Sequence, residues 1–429
     1  MAGLVNLTRW TRRAWLAAAA ALGTAACTRD DESTIRFWVM GREGEVAAQL
    51  LEGFEREHPD VRVRIEQLPW TAAHEKMLTA FAGNAMPDVA QLGNTWLPEF
   101  VALNALEPLD DRVQTSIDID AADYFPGIWD TNRVGENLFG IPWYVDTKLL
   151  FYRRDLLEQA GFSSPPKTWD EWWQMLVAVK ERVGPKRYAI LLPLQEYDPL
   201  VALALQQGEP LLRDDGRFGN FRSAAFRRTW KFYLSMFERQ LAPAANANEI
   251  ANVWNEFARG YFSFYISGPW QIGEFKRRLP SELQTAWSTA PLPGPQGPGV
   301  SIAGGSSLAI FRHSRHKDAA WKLVQFLSRP VVQQRFYAIT GNLPPRRSAW
   351  NDAALAQDPP TLAFREQLER VRPVPKVPEW ERIATELRVI TESVVRGDLS
   401  AEKGLEELDR RVDRILEKRR WMMERKGIK

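Results

Sequence analysis

Ile35-Arg36-Phe37-Trp38-Val39, Val61-Arg62-Val63-Arg64-Ile65 and Val89-Ala90-Gln91-Leu92 are three short apolar or alternating runs, each bounded by turn residues. Such runs read as strands. Between the first two, Glu45 to Glu57 places Val46, Leu50, Leu51 and Phe54 at helical spacing, and His58-Pro59-Asp60 stops the helix. Between the second and third, a helix is expected around Thr71 to Ala82. Strand, helix, strand, helix, strand is the order of a parallel α/β sheet. Ligands of such sheets bind beyond the carboxyl ends of the strands, which here are the turns Gly41–Glu45, Leu68–Trp70 and Gly93–Trp96.

Upstream of this unit, Thr11-Arg12-Arg13-Ala14-Trp15-Leu16 leads into an apolar run, Ala14 to Leu22, and through Gly23-Thr24-Ala25-Ala26 to Cys27. The run is too short to span a bilayer core of about 30 Å, so residues 1–26 read as a cleaved export signal. It resembles a bacterial lipoprotein signal of the twin-arginine type, with Cys27 as the lipidation site, although Thr24 stands where an aliphatic residue is usual. An ordinary secretory signal with an incidental cysteine is the alternative. Residues 27–32 form a polar tether. Cys27 is the only cysteine among 429 residues, so no disulfide, catalytic thiolate or cysteine metal cluster is available to the mature chain. A hydrophobic content of 45% permits a large core instead. At roughly 100–200 residues per domain two domains are expected. The formal charge of +2 gives no support for nucleic-acid binding.

Downstream, a second series opens at Ile141-Pro142-Trp143-Tyr144-Val145-Asp146, passes through a strand at Leu149–Tyr152, and enters a helix near Asp155–Gly161. Thr168-Trp169-Asp170-Glu171 is a capped helix start. The stretch Gly260 to Trp270 alternates as a strand and ends in a turn, and the Pro/Gly-rich stretch Pro291 to Gly299 fits neither helix nor central strand. The remainder is helical in pattern. It ends in a helix at about Ala401–Arg425 whose apolar stripe is Leu405, Leu408, Val412 and Ile415, and whose basic end reads as a solvated face.

Enzyme signatures are missing. The four histidines lie apart or, at His313 and His316, among cations that disfavour a metal. No Gly-x-Ser-x-Gly turn, dinucleotide fingerprint or P-loop occurs, so no cofactor is expected. The chain is instead rich in aromatics, with 18 Trp, 21 Phe and 9 Tyr. A sugar ring has an apolar C–H face and a rim of hydroxyls, and its site needs flat platforms beside carboxylates or amides. Turns that offer both are Asn94-Thr95-Trp96, Trp143-Tyr144-Val145-Asp146 and Gly268-Pro269-Trp270, though each tryptophan is equally well read as core. Glu43 and Asp146 are candidate hydroxyl acceptors, and Asn94 and Thr95 orienting groups.

These stretches have company in a fixed order: Phe54-Glu55-Arg56-Glu57-His58-Pro59-Asp60-Val61, Met86-Pro87-Asp88-Val89, Pro142 to Asp146, Pro165-Pro166-Lys167-Thr168-Trp169-Asp170-Glu171, Ile266 to Trp270, Ala303-Gly304-Gly305 and Gly341-Asn342-Leu343-Pro344. Together they resemble the family 1 extracellular solute-binding proteins of ATP-binding-cassette (ABC) sugar importers, the family of the maltose-binding protein. The resemblance runs from about Thr34 to Trp350. It implies an α/β, two-lobed periplasmic-binding-protein fold with a hinge and a ligand cleft between lobes. The first lobe would be 33–142 plus 289–309 and the second 143–288 plus 310–429, with crossings near Trp143–Asp146 and Ala290–Gly299. Leu194-Gln195-Glu196-Tyr197 resembles a ligand-contacting stretch of that family, which adds Glu196 and Tyr197 to the candidate site. Gly304 and Gly305 would let backbone approach the ligand. Arg346 is a further candidate, with a surface arginine as its other reading. Where many relatives have Gly-Lys-Ala-Ala-Met, this chain has Gly260-Tyr261-Phe262-Ser263-Phe264, and the added bulk is expected near the cleft floor. The implied function is a monomeric, lipid-anchored receptor on the periplasmic side of the envelope. It would bind a sugar, with an α-linked disaccharide such as maltose or trehalose favoured, and deliver it to an ABC permease. Its only membrane contact would be the anchor. The rivals are a receptor of the same fold for another solute, and an exported glycoside hydrolase using a pair from Glu43, Asp146 and Glu196.

Overall fold

The computed structural model describes residues 34–246, 249–250 and 252–425. The export signal, the tether and Cys27 lie outside them. Strand β1 (Thr34–Met40) runs directly into helix α1 (Gly41–Glu57), followed by β2 (Arg62–Leu68), α2 (Trp70–Ala82) and β3 (Val89–Gly93). The buried face of α1 is formed by Val46, Leu50, Leu51 and Phe54, the residues whose spacing announces the helix. Strands β2, β1 and β3 are parallel. Two later segments complete a five-stranded sheet: β4 (Ile141–Asp146), and a strand from Gly304–Ile310 that inserts antiparallel between β3 and β4.

After β4 the chain passes through Thr147 and Lys148 into β5 (Leu149–Arg153), which belongs to a second sheet. Helix α3 (Trp169–Val183) starts at Thr168 with both halves of a capping box in place, as expected. Next come β6 (Ile190–Leu191), α4 (Asp198–Leu205), β7 (Phe264–Ser267), α5 (Trp270–Arg278) and β8 (Trp287–Ala290). The second sheet has the order β8-β5-β7-β6. The inserted strand of the first sheet, Gly304–Ile310, is β9. Each sheet carries its own apolar core, one around Phe37, Phe54 and Trp143 and the other around Trp172, Trp230 and Trp380. Two lobes result.

Several boundaries differ from expectation. Residues 143–146 are the end of β4 in the first sheet, so the passage falls at Thr147–Lys148 and not within Trp143–Asp146. Thr289 and Ala290 pair with Phe151 and Leu150 in the second sheet, so the return begins after Ala290. Helices α6 (Lys317–Ser328) and α7 (Pro330–Thr340) pack on the first sheet through Trp321, Val324, Leu327 and Phe336, although 310–429 was assigned to the second lobe. Their apolar faces match an uncovered side of the first sheet, and periodicity alone does not say which sheet a helix covers. The second lobe regains the chain with α8 (Trp380–Val395) and α9 (Ala401–Ile415), which pack into its core. The last helical pattern is broken at Leu416, and α10 (Glu417–Arg425) follows. The bulk of Phe262 and Phe264 goes into the two cores that flank β7, not onto a cleft floor. Among the described residues no helix is long and apolar enough to cross a membrane.

Candidate functional site

A cavity of about 510 Å³ opens between the lobes where the carboxyl ends of β1, β2, β3 and β4 meet the starts of α4, α5 and α8. The strand-end rule marks this place. Nine of the twelve candidate residues line it: Glu43, Asn94, Thr95, Trp96, Asp146, Tyr197, Trp270, Gly304 and Gly305.

On the first-lobe side Trp96 follows the end of β3 and is buried, its ring 5.8 Å from Trp70 at an interplanar angle of 64° and 4.9 Å from the His74 ring, so it is Trp70 that presents open ring surface to the cavity. Asn94 donates from Nδ2 to the Ala303 carbonyl at 2.8 Å. Glu43, in the first turn of α1, is buried and accepts from Asn342 Nδ2 at 2.6 Å. Burial raises its carboxyl above the ordinary range against the hydrogen bonds that favour the charged form. The Tyr144 hydroxyl accepts from Gln91 Nε2 and Ser306 Oγ, both at 3.0 Å. Gly304 and Gly305 serve strand packing: a Cβ would lie 2.2 Å from the Asp146 carbonyl oxygen in one case and 2.3 Å from that of Tyr144 in the other.

The side facing the crossing and the second lobe, which takes in Asp146 at the end of β4, is ionic. Lys148 is buried and reaches Asp146 at 3.3 Å and Asp198, the first residue of α4, at 3.6 Å. Burial alone would lower the Lys148 ammonium, but the surrounding Asp146, Asp198 and Glu196 carboxylates raise it well above the ordinary lysine range. Asp146 is raised by burial, with Lys148 opposing and Asp198 adding to the rise. Glu196 is pushed up to about 7, chiefly by burial. It stands behind the wall and does not line the cavity. Trp270, at the start of α5, is 40% exposed and so presents ring surface to the cleft. Across the opening, Thr95 Oγ1 donates to Glu381 Oε1 of α8 at 2.5 Å, a hydrogen bond between lobes.

Two candidates fall elsewhere. Trp143 is 1% exposed and stacks on Phe336 at 4.5 Å and 11°, so it is a core residue of the first lobe and no platform. It alternates with Tyr144 along β4, and it is Tyr144 whose side reaches the cavity. Arg346 is neither a contact nor a surface arginine. It is buried, pairs with Asp123 at 2.6 Å, and donates to the carbonyls of Asp118 and Ser328. Sequence reasoning missed Trp70, Tyr144, Asp198, Ser306, Asn342 and Glu381. Trp70 lies in a turn that the strand ends mark, but no carboxylate or amide stands beside it in sequence to single it out; Asn342 and Glu381 arrive from segments that periodicity does not assign to a lobe.

Two lobes joined at Thr147–Lys148, again after Ala290 and a third time between α7 and α8, with a polar and aromatic cavity between them, define a receptor that encloses a small solute. The chain belongs to the bacterial extracellular solute-binding proteins, whose family pattern matches residues 40–334. It is 56% identical to the sugar-binding protein MalE from Xanthomonas citri, whose structure superposes with a TM-score of 0.89 over 91% of this chain and 99% of that one. The galactooligosaccharide-binding protein of Bacillus subtilis is 24% identical, over 91% of this chain and 94% of its own. An uncharacterised lipoprotein encoded in the oleD 5′ region of Streptomyces antibioticus is 27% identical, over 83% and 82%. The protein is thus a binding protein and not an enzyme.

Proposed function

We propose that the protein captures a sugar in the interlobe cleft, closes on it by hinge motion, and presents it to the membrane subunits of an ABC importer. The observation that carries this reading is that Trp70 and Trp270, 38% and 40% exposed, line the two walls of one cavity beside Asp146, Asp198 and Glu381. Aromatic faces take the C–H face of a pyranose and carboxylates take its hydroxyls. Two platforms on opposite walls suit two linked rings, and an α-linked disaccharide such as maltose or trehalose is the expected ligand. Closure follows from linkage, because a ligand that touches both walls binds the closed state more tightly and shifts the population toward it. The same-fold alternative, a receptor for a phosphate ester or another anion, is disfavoured by the carboxylate-rich lining, where the Lys148 charge is already held by Asp146 and Asp198. The extracellular family and the lipoprotein relative support export to the periplasmic side of the envelope; Cys27 as the anchored residue and a monomer as the acting form belong to the same proposal.

Titration calorimetry with maltose, trehalose, a galactooligosaccharide, a sugar phosphate and an amino acid tests the reading. Saturable binding of one of the two α-linked disaccharides, with no turnover of it, is expected. Binding of the sugar phosphate or amino acid and of no neutral sugar would overturn it.

A further inference from the structure

We propose that Lys148 is a positioning residue for sugar binding: it does not face the ligand, but it holds Trp270, Asp146 and Asp198 together as one wall. This rests on the reading of the cleft as a sugar site and names the residue that organises its second-lobe half. Trp270, Asp146 and Asp198 line the cavity and Lys148 does not. Its ammonium sits 4.3 Å from the centroid of the Trp270 ring and within 3.3 and 3.6 Å of the two carboxylates. One buried cation therefore touches three lining groups from behind. Both ion pairs are made through Oδ1. The ring itself is seated by a second device. It occupies the space a Cβ on residue 268 would need, 1.9 Å from the nearest ring atom, so only glycine there lets the indole fold back toward the turn. The backbone of Lys148 is fixed as well, since its carbonyl accepts from Ser301 Oγ at 2.6 Å and so joins two of the segments that cross between the lobes. Without the ammonium, Asp146 and Asp198 lose their shared counter-charge beside a ring left with one neighbour fewer. The wall then loses its preset geometry and each ligand must organise it anew.

The test combines Lys148→Met and Lys148→Arg with Trp270→Ala, in protein labelled with 5-fluorotryptophan. The ¹⁹F resonance of Trp270 is assigned by its loss in the Trp270→Ala protein. In the unliganded receptor, Lys148→Met should move or broaden that resonance and leave the Trp143 resonance in place. Affinity for the sugar that wild type binds should fall about tenfold, with partial recovery in Lys148→Arg. In the Trp270→Ala background, Lys148→Met should cost clearly less than in wild type, which marks action through the ring. An unmoved Trp270 resonance, or a moved one with affinity within about twofold of wild type, overturns the proposal. If wild type binds no sugar, the sugar reading fails, and the resonance still decides whether Lys148 positions Trp270. Should Lys148→Met not fold, Lys148→Gln carries the same test through the resonance and the affinity.

Discussion

The first-lobe wall of the cleft is held by neutral or singly charged groups that bond to one another: Asn94 to a backbone carbonyl, Tyr144 with Gln91 and Ser306, Glu43 with Asn342. The second-lobe wall is held by a buried lysine among three carboxylates. Hydrogen bonds between neutral groups lose about 1 kcal/mol each when a partner is removed, and the remainder of a network survives. A buried ion cluster behaves as a unit, because removing one charge strands the others in a medium that solvates them badly. The first wall should therefore tolerate single substitutions at its rim, whereas the second should respond as a whole and respond to pH.

The sharpest contrast is between two tryptophans that carry the same kind of sequence signal. Trp143→Ala removes a ring buried behind the first wall and stacked on Phe336, and a loss of about 3–5 kcal/mol in unfolding free energy is expected from denaturant titration. Trp270→Ala removes an exposed platform from the second wall. It should leave the unliganded melting temperature nearly unchanged and weaken sugar binding by about 1–3 kcal/mol in calorimetry. If the two variants exchanged these phenotypes, the assignment of core and platform would be reversed.

The smallest effect concerns pH. The Glu196 carboxyl is pushed up to about 7 in the folded protein by burial, with the Lys148 charge opposing. A carboxyl raised in the folded state contributes stability that is present below its unfolded pKa and is lost as pH rises through the folded value. Wild type should accordingly lose stability between about pH 4.5 and 7 through this group. Glu196→Gln should raise the melting temperature by a few degrees at pH 8 and leave it unchanged near pH 4, as read by thermal-shift scans. An equal gain at both pH values would remove Glu196 from the ionic unit.

These contrasts explain what was legible in the sequence. The strand–helix alternation of residues 34–93 is local, and there the structure follows the reading closely. The strand-end turns mark the first-lobe wall of the cleft for the same reason. Trp143 and Trp270 could not be told apart because both stand beside polar groups in apolar strands or turns, and only the facing of β4 puts Tyr144 on the cavity and Trp143 in the core. Arg346 has no local sign of burial; its partner Asp123 is 223 residues away. Glu381 and Asn342 come to the cleft through long-range packing of α8 and of the chain after α7, which periodicity does not encode. Lys148 was passed over because a lysine in a crossing segment reads as solvated until two carboxylates and an indole are seen around it.

Strand β9 sits between β3 and β4, and the side-chain bond from Gln91 to Ser306 spans 215 residues of chain. During synthesis β3 and β4 therefore leave the ribosome long before the strand that must separate them, and the polypeptide of the whole second sheet is emitted in the interval. The second sheet can pair first, while the first sheet waits with a gap that only β9 can fill, and the core of the second lobe is completed later still by α8 and α9. Both lobes are thus closed by segments made late, and a chain stopped short of residue 304 is left with two strand edges and no partner for either.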